Sequence, residues 1–220
     1  MQHRKLFAGI GATVLAGTAA FAGIQASSAS ESAAESAKPA ASAPVQLDGR
    51  LNAMNDSGAS GRVWAEFKGR KAEVRIKARG LAKGLPHAQH LHFGADARNE
   101  CPNVFDDANN DLRINVAEGV PDYGPILKSL TTSGDTSPES GLAVDRYPTA
   151  PKGKVDYERK ISFAPAAVAR AIKNGKGVIV VHGVDHNGNG EYDFDGAGAS
   201  ELDPSLPAEA TDPALCGVLR

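Results

Sequence analysis

Ala72-Glu73-Val74-Arg75-Ile76-Lys77-Ala78 alternates apolar and charged side chains without a break. Successive side chains of an extended chain point to opposite faces, so Val74, Ile76 and Ala78 share one face and Glu73, Arg75 and Lys77 the other. That is the pattern of a half-buried antiparallel strand. Arg62-Val63-Trp64-Ala65-Glu66-Phe67 and Val45-Gln46-Leu47 lie just upstream as further β-type runs. Gly-bearing turns at Ser57-Gly58 and Lys68-Gly69-Arg70 separate these runs, as a meander or Greek key requires. Downstream, strands are predicted at 91–93, 126–131, 155–163 and 178–181. Only 165–174 reads as helix, with Pro165 at its start and Gly175 just past its end. Many strands and one short helix make an all-β Greek-key β-sandwich. Two long polar loops, 95–125 and 183–215, interrupt it, and loops of that length are usually functional or ligand-stabilised.

The chain begins with a basic Arg4-Lys5 pair, an uncharged Gly- and Ala-rich run from Leu6 to Ile24, and a small-residue stretch at 26–30. Residues 1–30 therefore read as a secretory signal, whose run is too weakly hydrophobic for an anchor. Residues 31–44 (ESAAESAKPAASAP) carry no aromatic or branched aliphatic side chain and read as a disordered tether. Residues 45–220 are expected to form one domain of a secreted, extracellular protein. Loss of Arg4 and Lys5 moves the formal charge from -2 to -4. No basic stripe suggests nucleic acid, and no cationic amphipathic segment suggests a membrane surface after signal cleavage. Cys101 and Cys216, the two cysteines, are expected to pair in an oxidising compartment. Closing so long a loop is worth at most about 4.7 kcal/mol.

His87, His90, His92, His182 and His186 are the histidines beyond the signal segment. His90 and His92 are two apart, so a strand would offer both imidazoles to one ion. His182 ends the buried-strand run Val178-Ile179-Val180-Val181 and is expected to be a third metal ligand. Imidazole suits copper, zinc, iron and nickel. His87, at the entry to the same strand, is the candidate for a fourth ligand despite its opposite parity.

These residues together resemble the copper–zinc superoxide dismutase family. His90-Leu91-His92-Phe93-Gly94 is similar to that family's His-x-His strand and Gly, Cys101 follows His92 by nine positions, and Ile179-Val180-Val181-His182 and Leu215-Cys216-Gly217-Val218-Leu219 match two further motifs. The resemblance spans residues 45–220 and implies a superoxide dismutase-like sandwich, of the same general class as immunoglobulin-like ones, with a copper site and the Cys101–Cys216 disulfide. The departures bear on activity. Asp107 stands where the family has its bridging histidine, and Pro213 where it has its guiding arginine. No histidine lies between 93 and 181, so no zinc site is recognisable. A carboxylate at position 107 would repel an anionic substrate.

Two loops carry the spacing of cation-binding oxygens. Asp185, Asn187, Asn189, Glu191 and Asp193 surround Gly188 and Gly190, and Asp107, Asn109, Asp111, Asn115 and Glu118 form a second set. Alternating oxygens of this kind wrap calcium. The reading is a secreted metal-binding protein of superoxide dismutase-like fold, with copper on histidines, calcium in the loops and weak superoxide dismutase activity at most. The alternatives are a non-catalytic extracellular module of chordin type and a copper carrier.

Overall fold

The computed structural model describes residues 43–220; the signal expected at 1–30 and all but the last two residues of the tether expected at 31–44 lie outside the described residues. Among those described, eight strands form: β1 (Val45–Ala53), β2 (Ser60–Lys68), β3 (Lys71–Arg79), β4 (Gln89–His92), β5 (Ile126–Ser129), β6 (Lys154–Ser162), β7 (Gly177–His182) and β8 (Pro213–Leu219). All pairings are antiparallel, in the order β5-β4-β7-β8-β1-β2-β3-β6. The chain thus leaves β3, builds β4 and β5 at the far edge, and returns to pair β6 with β3. This is the expected all-β Greek key.

The alternation in the sequence becomes the core. On β2, Val63, Ala65 and Phe67 are buried while Arg62 and Trp64 face outward, and on β3 Val74 and Ile76 repeat the pattern. These residues pack with Leu91, Ile179, Val181, Leu215 and Leu219 of the β4-β7-β8 half to form one core. Each buried Val, Ile or Leu contributes about 1.5–3 kcal/mol. The halves meet where β1 pairs with β8, at Asn52–Cys216 and Ala53–Leu215. Along this seam the backbones approach closely: a Cβ on Gly217 would lie 2.0 Å from the Arg50 carbonyl oxygen, and one on Gly49 2.3 Å from that of Val218. The Cys101–Cys216 disulfide is formed and ties the 95–125 loop to β8.

Three helices appear among the described residues where the sequence predicts one: α1 (Val116–Tyr123), α2 (Ala166–Ala171) and α3 (Ala208–Thr211). α2 is the predicted helix, shorter by a turn because the chain widens through residues 172–176. α1 opens on a capping box in which the Asn115 side chain accepts from the Glu118 amide and the Glu118 carboxylate accepts from the Asn115 amide. β8 is unpredicted as well. Among the described residues no helix is long and apolar enough to cross a membrane.

Candidate metal centre

Leu91 is fully buried in the sandwich core, and fixing it inward turns His90 and His92 to the opposite face of β4. On β7, Ile179 and Val181 point inward likewise, which sends Val178, Val180 and His182 outward. The register sets His90 opposite Val180 and His92 opposite Val178, and the His182 amide donates to the Ala88 carbonyl at 2.7 Å. All three imidazoles therefore emerge on one outer face of the half-sheet, where the long loops cover them. Ring centroids are 5.6 Å apart for His90–His92, 5.0 Å for His90–His182 and 6.3 Å for His92–His182.

Each ring has one nitrogen held and one free. His92 Nδ1 lies 2.8 Å from the Gly124 carbonyl and His182 Nδ1 2.6 Å from that of Thr211. His90 Nε2 is 3.1 Å from the Gly141 carbonyl, and 3.0 Å from the Tyr147 hydroxyl, which donates its own proton to the Ser140 carbonyl at 2.9 Å. A carbonyl only accepts, so the held nitrogen carries the ring proton and the other presents a lone pair. Those other nitrogens, His90 Nδ1, His92 Nε2 and His182 Nε2, are buried without any hydrogen-bond partner. One ligand atom from each of the three histidines lies within 4.8 Å of the others.

Burial keeps the rings neutral. It pushes His92 down to about 3 and His182 to about 4, and the neighbouring His182 lowers His92 further. His90 is held well below the ordinary histidine value by the same burial and by both neighbours. Metals bind neutral imidazole, so the three rings need lose no proton to take an ion at neutral pH. The carbonyls that hold their opposite nitrogens fix tautomer and ring orientation, as at metal sites generally. The donor set therefore fits an imidazole-preferring ion.

His87 is not brought to this group. Opposite parity sends it into the interior, where it is fully buried with Nδ1 2.8 Å from the His182 carbonyl and Nε2 3.0 Å from that of Ala82. With both nitrogens so engaged it supports the backbone beneath His182. His186 bonds the buried carboxylate of Asp212 at 2.9 Å. The expected carboxylate beside the centre is also absent from it: Asp107 turns back to accept from the Asp111 and Leu112 amides at 3.2 and 2.9 Å. Pro213 lies buried in β8, opposite His182.

The histidines form the floor of a cavity of about 300 Å³ whose walls come from α1, β5 and the segments around 138–144 and 202–211. Among the described residues no Asp, Glu, Lys or Arg lines it.

Both oxygen-rich loops close on themselves. In the first, Asn109 and Asp111 accept from amides two residues on, and Glu118 accepts from the Ala108, Asn109 and Asn115 amides. In the second, Asp185 accepts from the Asn189 and Gly190 amides at 3.1 and 2.9 Å, and Asn187 and Asn189 turn similarly. Asp193 accepts from both asparagine side chains, whereas the Glu191 side chain is exposed at the rim. Glu209, which the sequence did not single out, anchors this loop: it is fully buried and accepts from the His186, Asn187 and Asp193 amides at 2.7, 3.3 and 2.9 Å.

No family model matches the chain, and no curated protein does. Two solved structures of Candida albicans superoxide dismutase 5 are similar to it. One, a point mutant, is 12% identical and covers 81% of this chain and 92% of that chain with a TM-score of 0.41. The other, the copper(II) form, is 15% identical and covers 66% and 86% with a TM-score of 0.38. At such identity and superposition the likeness carries no argument, and what the centre can hold rests on the histidines themselves.

Proposed function

We propose that this chain is an exported metal-binding protein of superoxide dismutase-like fold that holds one copper ion on His90, His92 and His182 and dismutates superoxide weakly at most. One observation carries the reading: three converging ring nitrogens, each buried without a partner, while the opposite nitrogen of each ring is held by a carbonyl. A buried polar atom left unpaired costs roughly 1–3 kcal/mol, and one ion would satisfy all three. Copper(II) binds such nitrogen donors more tightly than the other divalent first-row metals. When bound it would supply one-electron redox chemistry.

Export is supported by the signal-like start and by the disulfide, a bond at home in oxidising compartments. Weak dismutation follows from the cavity walls, which hold no Lys or Arg to draw in an anion. A copper carrier is the second reading, favoured by the same uncharged walls. Calcium in the two oxygen-rich loops completes the proposal, as a brace for segments that bury little apolar surface.

Copper titration of the metal-free protein, followed by metal analysis after gel filtration, tests it. One copper per chain is expected, falling to none in the His90→Ala/His92→Ala variant with its fold intact by circular dichroism. Equal copper retention in that variant would overturn the assignment.

A further inference from the structure

We propose that the cavity over the three histidines binds a small, uncharged, single-ring aromatic molecule such as a phenol, its hydroxyl end toward the histidines. The inference deepens the metal-centre reading, and rests on it for what the hydroxyl meets in loaded protein; the walls and the free nitrogens exist in the metal-free chain.

Three observations converge. The cavity holds about 300 Å³, the lower end of the range of small-molecule sites, so it admits one ring and little more. Its walls are built by Val116, Val120, Ile126, Leu142, Leu202 and Leu206, with no ionisable side chain except the histidines. These come from separate segments of the chain, so the apolar lining is assembled by the tertiary fold. At the mouth, Val120, Leu142, Val144 and Leu202 remain 38–49% exposed. Four of the ten large apolar residues left exposed among the described residues thus border a single opening. Clustered exposed apolar surface of this kind marks a binding site.

The floor sets the polarity of the guest. Every free nitrogen there is an acceptor, because its ring proton sits on the carbonyl-bound side. Three converging lone pairs accept from an O–H or hold a cation, and they repel a carboxylate or phosphate. An anion would in addition give up its hydration to walls that offer it no charge. A neutral phenol leaves its ring on Leu142 and Val120 and donates its one proton to an imidazole. With a metal on the histidines, the phenol oxygen faces the ion instead.

Isothermal titration of the metal-free and copper-loaded protein with para-cresol, and in parallel with its anionic analogue 4-methylbenzoate, tests the inference. Saturable one-to-one binding of para-cresol is expected, at least tenfold tighter than 4-methylbenzoate, in the metal-free protein. Leu142→Lys and, separately, Leu202→Lys should weaken para-cresol at least tenfold. Both positions are 40% or more exposed, so neither change buries a charge in the fold. Both variants keep all three histidines and should retain one copper per chain. Equal binding of the two probes, no saturable binding, or para-cresol affinity indifferent to both lysines would overturn the inference. Copper retained without para-cresol binding refutes the pocket and spares the metal centre. Para-cresol bound by a protein that takes no copper does the reverse.

Discussion

Acidifying the metal-free protein should unfold it through its own metal centre. In the unfolded chain each histidine titrates near 6.5, whereas burial holds His92 at about 3 and His182 at about 4 in the folded state. Between those limits the unfolded chain binds more protons, so stability rises with pH there. Their contribution is therefore complete above about 6.5 and is lost as pH falls toward 4. At pH 4.5 the unfolded chain has protonated both rings and the folded chain neither. The gap is about two units per ring, and at 1.36 kcal/mol per unit the two together cost roughly 5 kcal/mol. His90, lowered by the same burial, adds in the same direction. A domain has only about 5–15 kcal/mol in total, so the urea midpoint should collapse between pH 7 and 4.5. Urea melts followed by circular dichroism at half-unit pH steps measure it, with His92→Gln and His182→Gln as comparators that each flatten the slope. A midpoint constant from pH 7 to 5 in the metal-free protein, or an unchanged slope in both variants, would refute the reasoning.

Replacing Cys101 and Cys216 together by Ala should lower stability by up to about 4.7 kcal/mol in urea melts, the loop-closure figure for a separation of 115 residues. Excess calcium should raise the melting temperature relative to chelator, because Asp185, Asn187, Asn189 and Asp193 lie in one loop; identical scanning-calorimetry curves would refute it. Gly217→Ala sets a methyl against the Arg50 carbonyl at the β1–β8 seam and should cost several kcal/mol, read as a lowered urea midpoint. Glu209→Gln places an amide against three backbone donors and should speed amide exchange throughout 185–196; unchanged exchange would show that the carboxylate anchors nothing.

The strands that pair neighbours in sequence were legible because one face meets water: Val74, Ile76 and Ala78 announce β3 by parity alone. β8 was not, since nearly all its residues are buried on both faces and carry no alternation, and Pro213 and Gly217 are poor strand formers. His90, His92 and His182 could be found because two-residue spacing and a strand terminus are local signals. For His87 the sequence held one warning, its opposite parity; the pair of carbonyls that engages it, from Ala82 and His182, has no local signature. The Asn115-Val116-Ala117-Glu118 stretch held a helix-start signal that the cation spacing masked: its residues cap α1. The carbonyls of Gly124, Gly141 and Thr211 that orient the histidines have no signature at all, since every residue has a carbonyl.

The short α3 shows how the loops and the histidines are joined. Its Glu209 gathers the 185–193 loop through three amides, and two residues on, the Thr211 carbonyl holds His182 Nδ1. Next in the chain, Asp212 is fully buried and accepts from Arg113 at 2.6 Å and His186 at 2.9 Å, so each oxygen-rich loop places one residue on the same carboxylate. The Asp212 carbonyl in turn accepts from the Gly183 amide, directly after His182. A shift of α3 would therefore move the His182 ring and the anchors of both loops at once. His90 and His92 have no such tie, being set by β4 and by carbonyls at 141 and 124. Of the three histidines, His182 is the one whose position depends on how the loops are held, and whatever stiffens those loops acts on the candidate centre through it.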